Sequence, residues 1–517
     1  MYTKHCMAEG FHKENARIAK NTLIIYVRMV FVILIGIVSA RFVLQALGAS
    51  DFGLYKVVGG LIAMLGFLST AMSTTTRRFI NIEMGKPDGD PNRIFNILMV
   101  VHIALAGVIL LFAETFGLWY IHHVLNVESG KIPDAVFVFQ VSTLVACMGI
   151  INLPFQSLIE SFEKFILSSL IDIGTNLVKL ALVIVLLYWP GNALRFYALC
   201  MSVVTFLSLL LYHGCCRRMW PSIIRWNPQR GKENYKEILW FNNWTALSAL
   251  AYIGRTQGSN LIVNWFFGTF VNGALAVAYE LENFSVMSIN RISSAAAPQI
   301  TQNYGGGNHN RSLDLVYKIS RYSALLMTVL VFCAWVELDF VLDLWLKDVP
   351  DGALLFCQWT MASALVRSFT GGTQTLEQAT GRIKWFQIVN SAMSLACLPL
   401  GWLAFRLGAE PVTIIQIYIA YSVLYRLVEF WLLHRLLDFK VGSFVRKAYL
   451  RPLVVVSLMG LYFAAYRALV PAGMVPAGRL AGIALTFVVS CLLVFCVGLF
   501  PWERQSVMSA VRSKFRK

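Results

Sequence analysis

The amino-acid sequence predicts an all-α polytopic membrane protein: about 14 transmembrane helices in two pseudo-symmetric six-helix lobes, plus an accessory C-terminal helix pair. Three observations predict it. Only 14% of the 517 residues are charged, against about 25% in soluble domains. Apolar stretches near the roughly 20 residues that cross a bilayer as a helix recur along the whole chain. The glycines of the first half return at one offset in the second: Gly48, Gly53 and Gly85 are each followed 220 residues later by Gly268, Gly273 and Gly305.

The elements follow in order. The first span, 23–44, begins where a basic, polar leader ends and reads as an uncleaved anchor, since it is too long for a signal-peptide core. The second, 54–75, starts after the Gly48–Gly53 turn. The third and fourth are 94–120 and 136–159. The fifth, 165–188, stops at Trp189-Pro190, and the sixth, 196–212, at the basic Arg217-Arg218. Spans 238–267, 274–297, 322–341, 353–376, 385–407 and 412–433 repeat the set, and 453–466 and 480–499 lie outside the repeat. A barrel is excluded because these runs do not alternate apolar and polar residues.

Four segments result: an N-lobe at 1–213, a cytoplasmic amphipathic linker at 214–237, a C-lobe at 238–436, and an accessory pair with a basic tail at 437–517. Lys and Arg concentrate in every second loop, which places both termini in the cytoplasm of a multi-pass membrane protein. The net charge of +17 is then a topology signal with attraction to anionic membrane lipid, not a nucleic-acid footprint. The linker carries Trp220, Ile223, Ile224, Trp226 and Tyr235 among its cations over 217–236 and reads as an interfacial helix. Parallel repeats of six spans are the usual substrate of alternating access. No Walker loop, zinc spacing or Ser-His-Asp context is present, so cofactor, metal, ATP and enzymatic readings are set aside. The cysteines read as apolar filler, with Cys215-Cys216 reduced in the cytosol.

Several stretches carry a family resemblance: LGASDFGLY at 47–55, STAMSTTTRRF at 69–79, PFQSLIESFEK at 154–164, APQITQNY at 297–304 and GRIKWFQ at 381–387. Over roughly the first 440 residues the chain resembles the Wzx-like polysaccharide flippases of the multidrug/oligosaccharidyl-lipid/polysaccharide (MOP) exporter superfamily. That resemblance implies a flippase moving an undecaprenyl-pyrophosphate-linked oligosaccharide from the inner to the outer leaflet for surface polysaccharide synthesis. It further implies polymerase and chain-length machinery as partners. A cation-coupled drug or metabolite antiporter of the same fold is the alternative.

Ionisable residues inside spans are costly unless they face a cavity or a partner, so they nominate the site. Thr245, Ser248, Tyr252, Arg255 and Ser259 recur at helical spacing and form one polar face. Arg255 suits a phosphate because its fork gives two charge-assisted bonds; an acid on the next helix is the competing partner. Arg28 sits where it could greet an incoming pyrophosphate or snorkel to the headgroups. Arg367, with Ser363, Thr370 and Gln374 near its face, reads as cavity-lining. Asp172, Asn176 and Lys179 share a face of the fifth span, either as a neutral network or as a binding site in which Lys179 meets the anionic cargo and Asn176 lines the cavity; a titrating Asp172 would suit proton coupling. Glu280 and Glu282 read as an outer vestibule, an anion-repelling pair or a coupling-cation site. Arg426 and Glu429, three residues apart, read as a mutual pair, and His102 as a hydrogen-bonded core residue.

Overall fold

The computed structural model describes residues 2–63, 66–123, 129–346, 349–470, 475–505 and 508. The sequence readings that involve Glu128, Lys347 and the basic tail beyond residue 508 lie outside these. The described residues are helical with connecting turns and contain no strand. The main helices are α1 (Tyr2–Ala63), α2 (Gly66–Gly85), α3 (Pro91–Phe112), α4 (Ile132–Ser161), α5 (Phe165–Leu186), α6 (Ala193–Met219) and α7 (Glu233–Gly305). They are followed by α8 (His309–Trp335), α9 (Leu338–Trp345), α10 (Ala353–Ser368), α11 (Gly371–Thr380), α12 (Lys384–Arg406), α13 (Thr413–Leu437), α14 (Leu450–Leu469) and α15 (Pro476–Leu493). Ten helical stretches are long and apolar enough to cross a membrane. This is a multi-pass membrane protein.

Four of the fourteen expected spans are missing from those ten: 54–75, 238–267, 274–297 and 353–376. All four are helical or mostly so. The tenth is broken into helices of 16 and 10 residues, and 238–267 and 274–297 carry polar and charged residues of the sequence's candidate site, Arg255, Ser259 and Glu280 among them. Polar spans that face a protein interior are the expected place for function in a bilayer.

Contacts divide the chain into two units, one of Met1–Ala249 with Thr301–Asn308, the other of Leu250–Ile300 with His309–Lys517. In the first, α4 packs on α3 and α6, α1 packs on α5, and a core forms around Val43, Leu54, Val58, Phe139, Val183 and Leu194. In the second, α12 packs on α13 around Val263, Leu275, Phe356 and Tyr418, and α8 is flanked by α10, α11, α14 and α15. The accessory pair explains why 72% of the apolar window of α8 is buried, against 17% for the last span. Along the other spans, rows of exposed Leu, Val, Phe and Trp such as Leu23, Leu111, Leu170 and Leu261 form the lipid-facing surface.

The repeat is visible in the backbone. Gly48 bends α1 at φ 70°, ψ 170°, and Gly268 bends α7 at φ 78°, ψ −178°. That region is essentially restricted to glycine. Glu163 and Gly381, 218 residues apart, both have positive φ, 55° and 77°. Gly85 and Gly305 lie within one unit against backbone. A Cβ on Gly85 would fall 2.0 Å from the Gln302 carbonyl oxygen, and one on Gly305 2.6 Å from that of Ile82. Each of Gly48→Ala and Gly268→Ala is expected to cost about 1–3 kcal/mol by forcing Cβ into this backbone region, although open space surrounds both positions. Thermal unfolding in detergent checks it; a variant as stable as the parent would mean that the bend straightens without cost.

The linker departs from expectation. The segment 217–236 is not one interfacial helix. Helix α6 runs to Met219, Pro221–Ile224 form a single turn, and an irregular stretch precedes α7. Pro221, Pro228 and Gly231 interrupt helical hydrogen bonding, and Gly231 adopts φ 106°. Asn92 Nδ2 donates to the carbonyls of Ser222, Ile223 and Arg225, while Asn96 accepts from the Asn227 backbone N–H, which fixes this path on α3.

Candidate functional site: a buried cationic cluster in the C-terminal unit

The centre is Arg255, 3% exposed, on the part of α7 that precedes the Gly268 bend. The part after the bend brings Glu282, 5% exposed, alongside it, at 4.0 Å from Arg255 Nη2 to Glu282 Oε1. The same carboxylate oxygen is paired with Arg367 Nη1 from α10. One carboxylate thus serves two guanidiniums, and the cluster carries one net positive charge in a buried setting.

Tyrosines form the walls. The Arg255 guanidinium carbon lies 4.2 Å from the Tyr418 ring centroid, 5.4 Å from that of Tyr252 and 5.7 Å from that of Tyr421. These faces stabilise a cation electrostatically. Tyr418 donates its hydroxyl hydrogen to Ser259 Oγ, and the Tyr279 hydroxyl lies 3.2 Å from that of Tyr418. Tyr421 donates to Asn390 Oδ1 at 2.5 Å. Every tyrosine hydroxyl that is hydrogen-bonded here is committed to a neutral acceptor, so none neutralises the guanidiniums. Arg255 Nε is buried and has no hydrogen-bond partner. A buried donor without an acceptor is costly, and an anionic oxygen would satisfy it.

Of the residues singled out from the sequence, Arg255 and Arg367 meet at Glu282, and Ser259 joins them through Tyr418. Tyr252 borders them at 36% exposure. Gln374 does not join them. The expected continuous tenth span breaks between Ser368 and Gly371, so Gln374 lies exposed on a separate helix. Gly372 causes the break to pack tightly, since a Cβ there would meet the Val316 carbonyl oxygen at 2.3 Å. Glu280 is exposed, whereas its neighbour Glu282 is not in a vestibule but is the counter-ion itself. Tyr279, Tyr418 and Tyr421 were not singled out from the sequence. The signal for Tyr418 and Tyr421 was the 418, 421, 425, 429 spacing, which puts three phenols and a carboxylate on one face of α13; Tyr279 lies on α7, outside that spacing.

The N-terminal unit holds a second, neutral arrangement. Arg28 Nη1 on α1 pairs with Asp172 Oδ2 on α5 at 2.8 Å, and Tyr212 of α6 donates to Asp172 Oδ1 at 2.8 Å. Asn176 turns its amide back to the Asp172 carbonyl at 2.8 Å. Lys179 is half-buried one turn further on. Arg28 is therefore engaged with a carboxylate across helices. His102 is fully buried, 3.3 Å from Thr76 Oγ1 and 2.7 Å from the Leu98 carbonyl oxygen, as a hydrogen-bonded core residue. Asp172→Asn is expected to cost about 1–3 kcal/mol through loss of the charge-assisted bond to Arg28, while retaining an acceptor for Tyr212. Thermal unfolding of the purified protein reads this directly; an unchanged midpoint would mean that the pair contributes nothing. Among the described residues no group of three or more His, Cys, Asp or Glu side chains could hold a metal ion.

The fold is that of MATE transporters of the MOP superfamily. A MATE solved in complex with MaD3S superposes with TM-score 0.70 at 14% identity, covering 82% of this chain and 97% of that one. An outward-facing multidrug resistance MATE family transporter of the MOP superfamily superposes with TM-score 0.68 at 12% identity, over 88% and 97%. A MOP superfamily transporter from Pyrococcus furiosus, described as having a binding pocket of reverse polarity that suggests a different function, superposes with TM-score 0.65 at 13% identity, over 80% and 94%. No family model and no curated protein matches the chain.

Proposed function

We propose that this protein is a membrane transporter for an anionic cargo, and that the cargo is the pyrophosphate-linked oligosaccharide of a polyprenyl carrier, moved from the inner to the outer leaflet of a bacterial inner membrane. The observation that carries the reading is the charge count of the buried cluster: Arg255 and Arg367 against Glu282 alone. A pyrophosphate supplies the missing negative charge and bidentate acceptors for the guanidinium fork, including the unpartnered Arg255 Nε. Tyrosine and serine hydroxyls at its edge are ordinary sugar-binding groups. The polyprenyl tail stays in lipid throughout. Alternating access of two repeats supplies the motion, and polymerase and chain-length proteins would take the product.

A drug antiporter is the second reading, favoured by the multidrug description of one neighbour in the fold. A cationic drug would call for uncompensated acid at the site, and the cluster has the opposite sign. The neighbour in the fold described as having a binding pocket of reverse polarity supports a reading in which pocket charge differs between proteins of this fold. The test is reconstitution in liposomes with a fluorescent undecaprenyl-pyrophosphate oligosaccharide in one leaflet. Protein-dependent appearance in the other leaflet supports the flippase. Ion-driven movement of a cationic dye with no flipping of several glycans moves the protein to the antiporter class.

A further inference from the structure

The junction of the accessory pair with α8, inside the second unit, gathers more positive charge than it neutralises. Arg321 of α8, Arg451 at the start of α14 and Arg504 after α15 converge on the segment 497–504. The guanidinium carbons of Arg321 and Arg451 lie 4.5 Å and 4.1 Å from the centroid of one ring, that of Phe500. Arg451 Nη1 donates to the Val497 carbonyl at 3.0 Å and also to the Leu499 carbonyl. Arg504 donates to the same Leu499 oxygen through Nε and Nη2, each at 3.3 Å. Among the described residues one carboxylate meets these guanidiniums, Glu503, and both of its oxygens are committed. Oε1 accepts from Arg321 and Tyr322, and Oε2 accepts from the Phe500 backbone N–H at 2.8 Å. Asp314, further back on α8, is held by Arg311 and Lys318 at 3.2 Å and 2.8 Å. The sequence supplies no other acid nearby: 440–451 and 504–517 contain Lys and Arg but no Asp or Glu.

Carbonyls at the end of a helix orient a guanidinium but leave its formal charge uncancelled. Arg451 and Arg504 are half-buried, and among the described residues Arg451 Nε and Nη2 and Arg504 Nη1 have no hydrogen-bond acceptor. Two guanidiniums fixed on one carbonyl, each with donors to spare, match the oxygens of a phosphate. Their place in the fold decides which phosphate. Leu450, Leu453 and Val454, which flank Arg451 at the start of an apolar span, are exposed, and so is Trp502 beside Arg504. Exposed Leu and Val on a spanning helix face acyl chains, and Trp is enriched where chains give way to headgroups. A water-soluble anion makes no use of that apolar surface; a lipid covers it and the arginines together. We propose that this junction binds the headgroup of an anionic phospholipid. The phosphodiester accepts from Arg451 and Arg504 while the acyl chains lie along the exposed side chains of α14. The lipid thereby links α14 to the segment after α15 at the point where Arg321 and Glu503 join that segment to α8.

The inference is independent of the cargo. A ligand that binds only the folded state raises the unfolding temperature, so the experiment follows thermal unfolding of the full-length protein in a neutral detergent. Equal amounts of phosphatidylglycerol, phosphatidylcholine or glycerol phosphate are added. The parent is expected to gain several degrees from phosphatidylglycerol over phosphatidylcholine, whose choline cancels the phosphate charge, and to gain nothing from glycerol phosphate. In Arg451→Gln/Arg504→Gln the increment from phosphatidylglycerol should fall below half, whatever the starting stability. Arg217→Gln/Arg218→Gln removes two exposed cations at the end of α6, in the other unit, and should keep the increment. If the first double variant folds poorly, native mass spectrometry of the parent supplied with both lipids decides, with several-fold enrichment of phosphatidylglycerol expected. Equal increments or equal enrichment for the two lipids overturns the proposal, as does an undiminished increment in Arg451→Gln/Arg504→Gln. The same loss in both double variants would reduce the effect to general surface charge and overturn it as well. A shift with glycerol phosphate matching that with phosphatidylglycerol would make this a site for soluble phosphate and overturn the lipid assignment.

Discussion

Arg255→Ala protein is expected to insert, fold and lose transport of an anionic cargo by about 10- to 100-fold, the equivalent of one or two charge-assisted hydrogen bonds to phosphate. Its stability should change little, because Arg367 remains paired with Glu282 and the cluster becomes one cation against one anion. Arg255→Lys should recover part of the activity, since the charge survives but the fork does not. Glu282→Ala should behave in the opposite way. It leaves two buried guanidiniums without a counter-ion, at an expected cost of about 3–5 kcal/mol. Inorganic pyrophosphate should then raise the unfolding temperature of the Glu282→Ala protein more than that of the parent, because the ligand replaces the lost carboxylate. The liposome assay and a melting curve with and without pyrophosphate measure both halves. An Arg255→Ala protein that transports like the parent would remove the cationic-cluster mechanism.

The second large effect is expected far from that site. Arg321 of α8 and Glu503 in the segment after α15 are 2% and 4% exposed and are paired with each other. Tyr322 donates to the same carboxylate at 2.5 Å, and Arg321 also donates to the Lys447 carbonyl at 3.0 Å. The Arg451 guanidinium carbon lies 4.1 Å from the Phe500 ring centroid and closes the junction. Removing either partner of a buried pair strands the other, so Glu503→Ala or Arg321→Ala should each cost about 3–5 kcal/mol. The accessory pair covers α8, so its loosening would expose the apolar faces around Leu325, Phe332 and Met459. Limited proteolysis should then cut between α14 and α15 much faster than in the parent. Equal cleavage rates would show that apolar packing alone holds the pair.

Most of the architecture was legible because membrane helices are governed by a local rule: an apolar run of sufficient length. The rule faltered where function intervenes. The stretch 238–297 carries Arg255 and Glu282 and fails simple apolarity, yet it is one helix bent at Gly268. The glycine repeat signalled the bend, and the polar stripe signalled Arg255. What the sequence could not convey was which acid meets which base. Arg28 and Asp172 are 144 residues apart, and Arg367 and Glu282 are 85 apart, so no helical spacing links them. Glu377, 3% exposed near the end of a broken span, also escaped notice. By contrast Arg426 and Glu429 paired as their three-residue spacing predicts.

The two bends at Gly48 and Gly268 also record ancestry. The halves have diverged until few letters agree, yet both keep the same mirror-image dihedral pair at the same ordinal place. Drift has erased side chains freely, but it could not pass through a backbone angle open to a single residue type. Among the described residues two non-glycines, Glu163 and Asp438, hold positive φ. The left-handed region around φ 55° admits a glutamate at modest expense, whereas its counterpart remains Gly381. Torsion angles, read in chain order, can thus outlast the alphabet written over them, and in this chain the same pair stands at two glycines 220 residues apart.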